Sequence, residues 1–212
     1  MQAVADLEIV TTGVAGLGRV LRGWRALRRI KQGHAATLLG VSQPTVSRWE
    51  SGVLAPTPDQ EARLRALLAA RPDGAADREL IRLVSASRQA VHLVCDLTHR
   101  LLAVSRPRAR EWRIGERELL GVSLWRYATD DIRAAEGRLG ELGWFAPAAP
   151  AVTVATHANR SIDVPIRPGR CEWVRFPLSD GSFARLVRTV PAEPQRRGKR
   201  HRLLTAASSI AM

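Results

Sequence analysis

The sequence predicts an α+β protein: an N-terminal unit built only from helices, followed by an antiparallel sheet with helices on one face. Three observations predict it. Apolar residues recur at spacings of three and four early in the chain, at Val20, Trp24, Leu27 and Ile30, with arginines between them. Beyond residue 85 the pattern changes to short β-rich runs bounded by turn residues. Those runs come in the order two strands, a mixed helical region, three strands, and no period of 20 to 50 residues repeats, which excludes a solenoid.

The elements follow in order. Residues 1–17, with Gly13 and Gly16, read as an N-terminal arm, and the first helix is expected from Gly18. Gly33 and Gly40 bracket a short second helix carrying Ala35, Ala36, Leu38 and Leu39. Ser42 is placed to cap a third helix, with Pro44 in its first turn, where a missing N–H costs little. Gly52 ends that helix, and Pro56 and Pro58 open a fourth through Glu61, Leu64, Leu67 and Leu68. Arg71-Pro72-Asp73-Gly74 breaks the pattern, which bounds a first unit at 18–72 and a linker at 73–84.

The second unit is expected at 85–190. Strands are expected at 91–97 and 101–105, joined by a tight turn at 98–100, and again at 152–157, 171–178 and 183–190. The last two flank Ser179-Asp180-Gly181-Ser182, and Asp-Gly between apolar runs is a strong hairpin signal. A mixed helical region covers 108–143, with one long helix expected at 130–143. A tail at 191–212 follows, holding five basic residues against one acidic.

Charge bounds the function. The 212 residues carry 33 Lys and Arg against 20 Asp and Glu, a net +13, and all but Lys31 and Lys199 of the basic residues are arginine. Such an excess predicts attraction to polyanions, nucleic acid first, and makes the tail a phosphate-seeking arm. No apolar run approaches the ~18 residues of a membrane helix, the N-terminus lacks the basic opening of a secretory signal, and Cys95 and Cys171 cannot frame a disulfide scaffold or a zinc site. These features point to a cytoplasmic chain with no metal and no membrane partner.

Residues 31–52 read KQGHAATLLGVSQPTVSRWESG. A helix of about eight residues, a turn at Gly40 and a helix beginning at Ser42 is the geometry that enters a DNA major groove, with the reading helix at 42–51. Val41, Val46 and Trp49 should face inward, while Gln43, Thr45, Ser47 and Arg48 project outward. Gln can pair bidentately with adenine, Arg with guanine, and the Thr methyl can touch thymine; Arg48 is equally placed for a phosphate. The stretch resembles the lambda-repressor/Cro-like, or xenobiotic-response-element, helix-turn-helix family. Ala36 and Gly40 fill its "A-x-x-x-G", and Ser42, Thr45, Val46, Ser47, Glu50 and Gly52 fill its "S-x-x-[TS]-[IV]-S-x-x-E-x-G". The resemblance implies that Gln32 holds a phosphate, that Arg25 pairs with Glu50 as a structural ion pair, and that Ser42 and its neighbours face DNA. Gly33-His34-Ala35 departs from the pattern, which prefers acidic residues and leucine. Trp24 and Trp49 read as core; Arg19, Arg22 and Arg29 read as a solvated face or as phosphate contacts.

The element order of residues 85–190 is similar to that of PAS-like sensor domains. Asp96 before Leu101-Leu102-Ala103-Val104-Ser105 resembles the opening of that fold, Glu118-Leu119-Leu120-Gly121-Val122-Ser123-Leu124-Trp125 its helix entry, and Cys171-Glu172-Trp173 with Asp180-Gly181-Ser182 its closing hairpin. The resemblance implies helices over one face of an antiparallel sheet and a pocket between them, used for a ligand or for dimerisation. No cofactor is assigned and the ligand is left open. A haem would need an axial ligand from His92, His99 or His157, but His92 and His157 read as exposed or satisfied strand residues. Cys95 reads as a small buried hydrophobe.

Together these features lead to the expectation of a sequence-specific transcriptional regulator, dimeric because one helix-turn-helix reads only a half-site, binding palindromic double-stranded DNA in the nucleoid. The alternative is a partner-binding antitoxin or anti-regulator acting through the second unit. An enzyme is not expected: no nucleophile–base set appears, and Asp96, Asp130, Asp131 and Glu136 read as surface carboxylates.

Overall fold

The computed structural model describes residues 14–190. The basic tail, and residues 1–13 of the expected arm, lie outside the described residues. Helix α1 (Val14–Arg28) begins within that arm, four residues before Gly18. Its buried face is Leu17, Val20, Leu21 and Trp24, whereas Leu27 is 51% exposed. Periodicity sets the direction of a helix face but not how far along the axis its cover reaches, and Leu27 lies in the last turn.

Helices α2 (Gln32–Leu39), α3 (Gln43–Glu50) and α4 (Pro58–Leu68) complete the first unit. Gly40 closes α2 with a positive φ of 66° that a residue with a Cβ would adopt only under strain, and the Arg63 guanidinium on α4 donates to the Leu39 carbonyl. Thr57 and Gln60 form a reciprocal capping box at the start of α4. Ala36, Val46, Trp49, Leu64 and Leu68 share one core with the α1 face.

The stretch expected as a linker is helix α5 (Ala75–Ala86). The breaker before it is real, but Leu80, Ile81 and Val84 lie on one helical face and pack against the sheet. The Asp77 carboxylate accepts from Gly74 N and Ser179 N, tying the start of α5 to the sheet's last hairpin.

Five strands form one antiparallel sheet: β1 (Val91–Cys95), β2 (Leu101–Val104), β3 (Val152–Thr156), β4 (Gly169–Pro177) and β5 (Phe183–Val190). Their spatial order is β2-β1-β5-β4-β3. Helices α6 (Arg106–Ala109), α7 (Glu116–Leu119) and α8 (Asp130–Gly137), with a 3-10 turn (Leu124–Tyr127), connect β2 to β3. The long helix expected at 130–143 stops at Gly137; Gly140 and Gly143 follow, and Gly143 takes a φ of 73° that no helix continues. Gly181 takes 77° in the expected Asp-Gly turn, where Asp180 Oδ1 accepts from Ser182 N.

Strand alternation divides the sheet into two faces. Val91, Leu93, Ala184 and Leu186 pack against α5. On the other face, His92, Val94, Arg185 and Val187 border a cavity beneath the connecting helices. Cys95, which is buried, and Leu97 belong to the core of the helical unit, so the two units share apolar surface rather than hanging on a tether. The hairpin tip strengthens that joint. Asp180 O accepts from Arg28 on α1, and Asp180 Oδ2 accepts from Arg71 N after α4.

A buried ionic cluster lies next to the joint. Asp96 accepts from Arg175 Nε at 2.8 Å, Arg185 Nε at 2.8 Å and Trp144 Nε1 at 3.1 Å. Arg185 also donates to Glu136 at 2.5 Å and lies between the Trp144 and Trp173 rings. Asp96 and Glu136, expected at the surface, are 7% and 5% exposed. Burial alone would raise the Glu136 carboxyl, but Arg185 and His99 outweigh it and hold the carboxyl well below its usual range. Burial likewise opposes the Arg185 charge, yet Glu136 and Asp96 keep it ionised.

Two predictions follow from this packing. A Cβ at Gly18 would stand 1.9 Å from the Trp49 carbonyl oxygen, whereas one at Gly33 meets nothing within 4 Å. Denaturant melts should therefore show Gly18→Ala losing about 1–3 kcal/mol to overpacking, despite alanine's better helix propensity, and Gly33→Ala gaining up to about 1 kcal/mol. Because the folded Glu136 carboxyl is depressed, its contribution is present above the unfolded value near 4.5 and is lost as pH falls below it. Thermal melts across pH 2–7 should show the wild type losing stability on the acid side, and Glu136→Gln should flatten part of that loss.

Candidate functional site

Among the described residues nothing packs over the outer face of α3. Ser42, Gln43 and Arg48 are exposed and Thr45 and Ser47 half-buried, while Val46 and Trp49 point into the core. Ser42 caps the helix through Thr45 N, and the two hydroxyls lie 2.8 Å apart. Ser42 thereby holds Thr45 at the leading edge of the helix. Arg48 folds back along it, with Nε donating to Pro44 O at 3.3 Å.

A polar chain runs from α1 to that face. Arg25 grips Glu50 with two bonds of 2.6 Å and donates a third to Ile30 O. Gln32 Nε2 donates to Glu50 Oε2 at 3.0 Å, and Gln43 Nε2 donates to Gln32 Oε1 at 2.7 Å. Arg25, Glu50, Gln32 and Gln43 thus form one network. The pair is largely buried, and the hydrogen bond to Glu50 raises the Arg25 guanidinium although burial opposes its charge. A side-chain amide held in this way loses little rotamer freedom when it meets a base. Arg19, weighed above as a phosphate contact, lies over the Phe145 ring and faces the sheet unit; Arg22 and Arg29 are exposed.

The second feature is a cavity of about 230 Å3 between the sheet and α6, the 3-10 turn, α8 and residues 164–170. Trp112, Trp125, Tyr127 and Trp173 supply its aromatic walls. His92, read above as exposed or satisfied, is neither: it lines the cavity and its Nδ1 is buried without a partner. Burial, reinforced by the Arg108 charge, pushes its ring well below the usual range and leaves it neutral. His99 also lines the cavity, stacked on Trp125 with centroids 4.7 Å apart. Its backbone is in the left-handed region at a φ of 56°, and neither ring nitrogen has a hydrogen-bond partner; Nε2 stands 3.5 Å from Glu136 Oε1. His157, by contrast, is exposed and paired with Asp131 at 3.0 Å.

Sequence reasoning missed the Asp96 cluster and its link to this cavity. His99 and Arg185 line the cavity, and Asp96, Glu136, Arg175 and Arg185 line a small crevice together with Val20 and Leu68 of the helical unit. The available signal was Arg185 itself, a charge between Ala184 and Leu186 on a central strand. Among the described residues no group of three His, Cys, Asp or Glu side chains could hold a metal ion. No helix among them is long and apolar enough to cross a membrane.

Comparison with known proteins bears on the first unit most directly. Residues 16–80 match a helix-turn-helix domain family. Among solved structures, the chain is similar to the crystal structure of the PAS domain of an HTR-like protein from Haloarcula marismortui, with 15% identity and a TM-score of 0.36 over 54% of this chain and 96% of that one. No curated protein matches the chain. The matched span begins in α1, runs through α2–α4 and ends within α5. The chain therefore carries a helix-turn-helix domain at residues 16–80, joined to a five-stranded antiparallel sheet.

Proposed function

We propose that the protein is a sequence-specific transcriptional regulator that binds palindromic DNA as a homodimer in the nucleoid, and that occupancy of the sheet-domain cavity tunes this binding. The observation that carries the reading is the exposed face of α3, on which Gln43 is pre-set by Gln32 and flanked by Thr45 and Arg48. In this reading Gln43, Thr45 and Arg48 select bases, while Gln32, Ser42 and Ser47 meet the backbone of the same half-site. Two copies with α3 helices about 34 Å apart would match successive major grooves. The net +13 supplies sequence-independent affinity through phosphates. The protein acts by binding and not by catalysis.

The route for tuning is the joint. Helix α1 forms part of both the helix-turn-helix core and the contact with the sheet, and the Asp96–Arg185–Glu136 cluster spans from cavity to crevice. A ligand that moves His99 or Arg185 would thereby bias the seating of α1.

Purified protein incubated with fragmented genomic DNA at about 0.15 M salt should retain a small set of palindromic sites. Gln43→Ala should weaken those sites by about 1–3 kcal/mol and relax one base position in each half. Uniform weakening on every sequence, or retention that salt abolishes without enrichment, would refute the assignment of Gln43 as a base reader.

A further inference from the structure

The cavity carries more information than its existence. Buried polar atoms in proteins ordinarily have partners. Among the described residues three beside the cavity do not: His92 Nδ1, His99 Nδ1 and Arg108 Nε, while His99 Nε2 has only Glu136 Oε1, 3.5 Å away. His99 also occupies a left-handed backbone conformation in a turn held by Leu124 N and Ser123 Oγ, and strain of this kind in a buried residue points to a site rather than to packing. Unsatisfied polar atoms together with a strained histidine in one apolar hollow mark a binding site for a small molecule.

Size and charge narrow the ligand. A dry cavity of about 150 Å3 admits benzene, and pockets for drug-sized ligands run to about 300–1,000 Å3. At about 230 Å3, this one suits a single ring with a short substituent. Trp112, Trp125, Tyr127 and Trp173 in the lining favour an aromatic ring. Among the described residues Arg108, Arg167 and Arg170 also line the cavity, against a single acidic side chain, Glu111. Arg185 is excluded from this balance because Asp96 and Glu136 already answer its charge. Arg108 spends its two terminal nitrogens on Glu111, Ala90 O and Thr189 Oγ1, which leaves Nε as a free, charged donor. Arg167 and Arg170 are exposed, placed to steer an anion inward.

We infer that the cavity binds a small aromatic carboxylate, its ring against Trp112, Trp125 and Trp173 and its carboxylate accepting from Arg108 Nε. The inference deepens the sensing reading above and rests on it for its biological meaning, while the binding itself can be measured separately.

The test is calorimetric titration of the full chain with three probes: benzoate, its neutral relative benzamide, and acetate, which has the charge without the ring. Benzoate should bind at least about tenfold more tightly than either, the difference expected for one charge-assisted hydrogen bond in a desolvated site. Arg108→Gln should reduce benzoate to the level of benzamide. Because Arg108 also braces Ala90 and Thr189, a second variant, Ala128→Leu, fills the cavity from its wall and should abolish benzoate binding. Equal affinity for benzoate and benzamide, or no binding of either by the wild type, would overturn the ligand class. DNA retention measured in parallel separates the two ideas. Benzoate binding that leaves retention unchanged refutes the sensing reading and keeps the site. Benzamide binding as tightly as benzoate and altering retention refutes the carboxylate and keeps the sensing.

Discussion

The structure depends on one buried ionic cluster. Asp96, at the end of β1, holds Arg175 from β4 and Arg185 from β5, and Arg185 reaches on to Glu136 in α8. Three strands and the helical layer are thus tied at one point. Removing one member of a buried cluster strands its partners' charges, at a cost of about 3–5 kcal/mol, while a well-packed apolar replacement of the whole set is often neutral. The cluster therefore contributes direction more than stability. It dictates where α8 sits, which way the turn from Asp96 to Arg100 runs, and so where His99 is presented.

That placement brings the cavity and the helix-turn-helix unit together in one small volume. The helix-turn-helix unit rests on the sheet through Leu17, Val20 and Trp24, against Cys95 and Leu97. The surface opposite, on α3, is left open. The same α1 that docks on the sheet carries Arg25, whose grip on Glu50 orders Gln32 and Gln43. A change at the joint would therefore reach Gln32 and Gln43 through α1 without any new contact at the α3 face.

The sheet serves two chemistries because strands alternate. Its apolar face meets α5 and the helical unit, and its other face places His92, Arg185, Cys171 and Trp173 around the cavity. Aromatic walls and tryptophan-stacked guanidinium groups let a strongly basic chain bury arginine without leaving its charge unanswered. The arginines near the cavity are in this way divided between structure, for Arg175 and Arg185, and reception, for Arg108.

Local rules alone determined much of this protein. The helix-turn-helix was legible from residues 31–52 because its constraints are short in range: a left-handed glycine at 40, a cap at Ser42, and inward Val46 and Trp49 within one turn of each other. The five strands and the Asp-Gly hairpin were legible for the same reason, as period and turn chemistry act over a few residues. Tertiary structure decided the rest. Helix α5 was read as a linker because its apolar face means little until the sheet covers it. Asp96 and Glu136 were read as surface carboxylates because a lone carboxylate in sequence carries no sign of partners 89 and 49 positions away. His99 and Arg108 gained their significance only once folding brought them to a cavity and left His99 Nδ1 and Arg108 Nε without partners among the described residues, and that is a property of what packs against a residue rather than of the residue's neighbours in the chain.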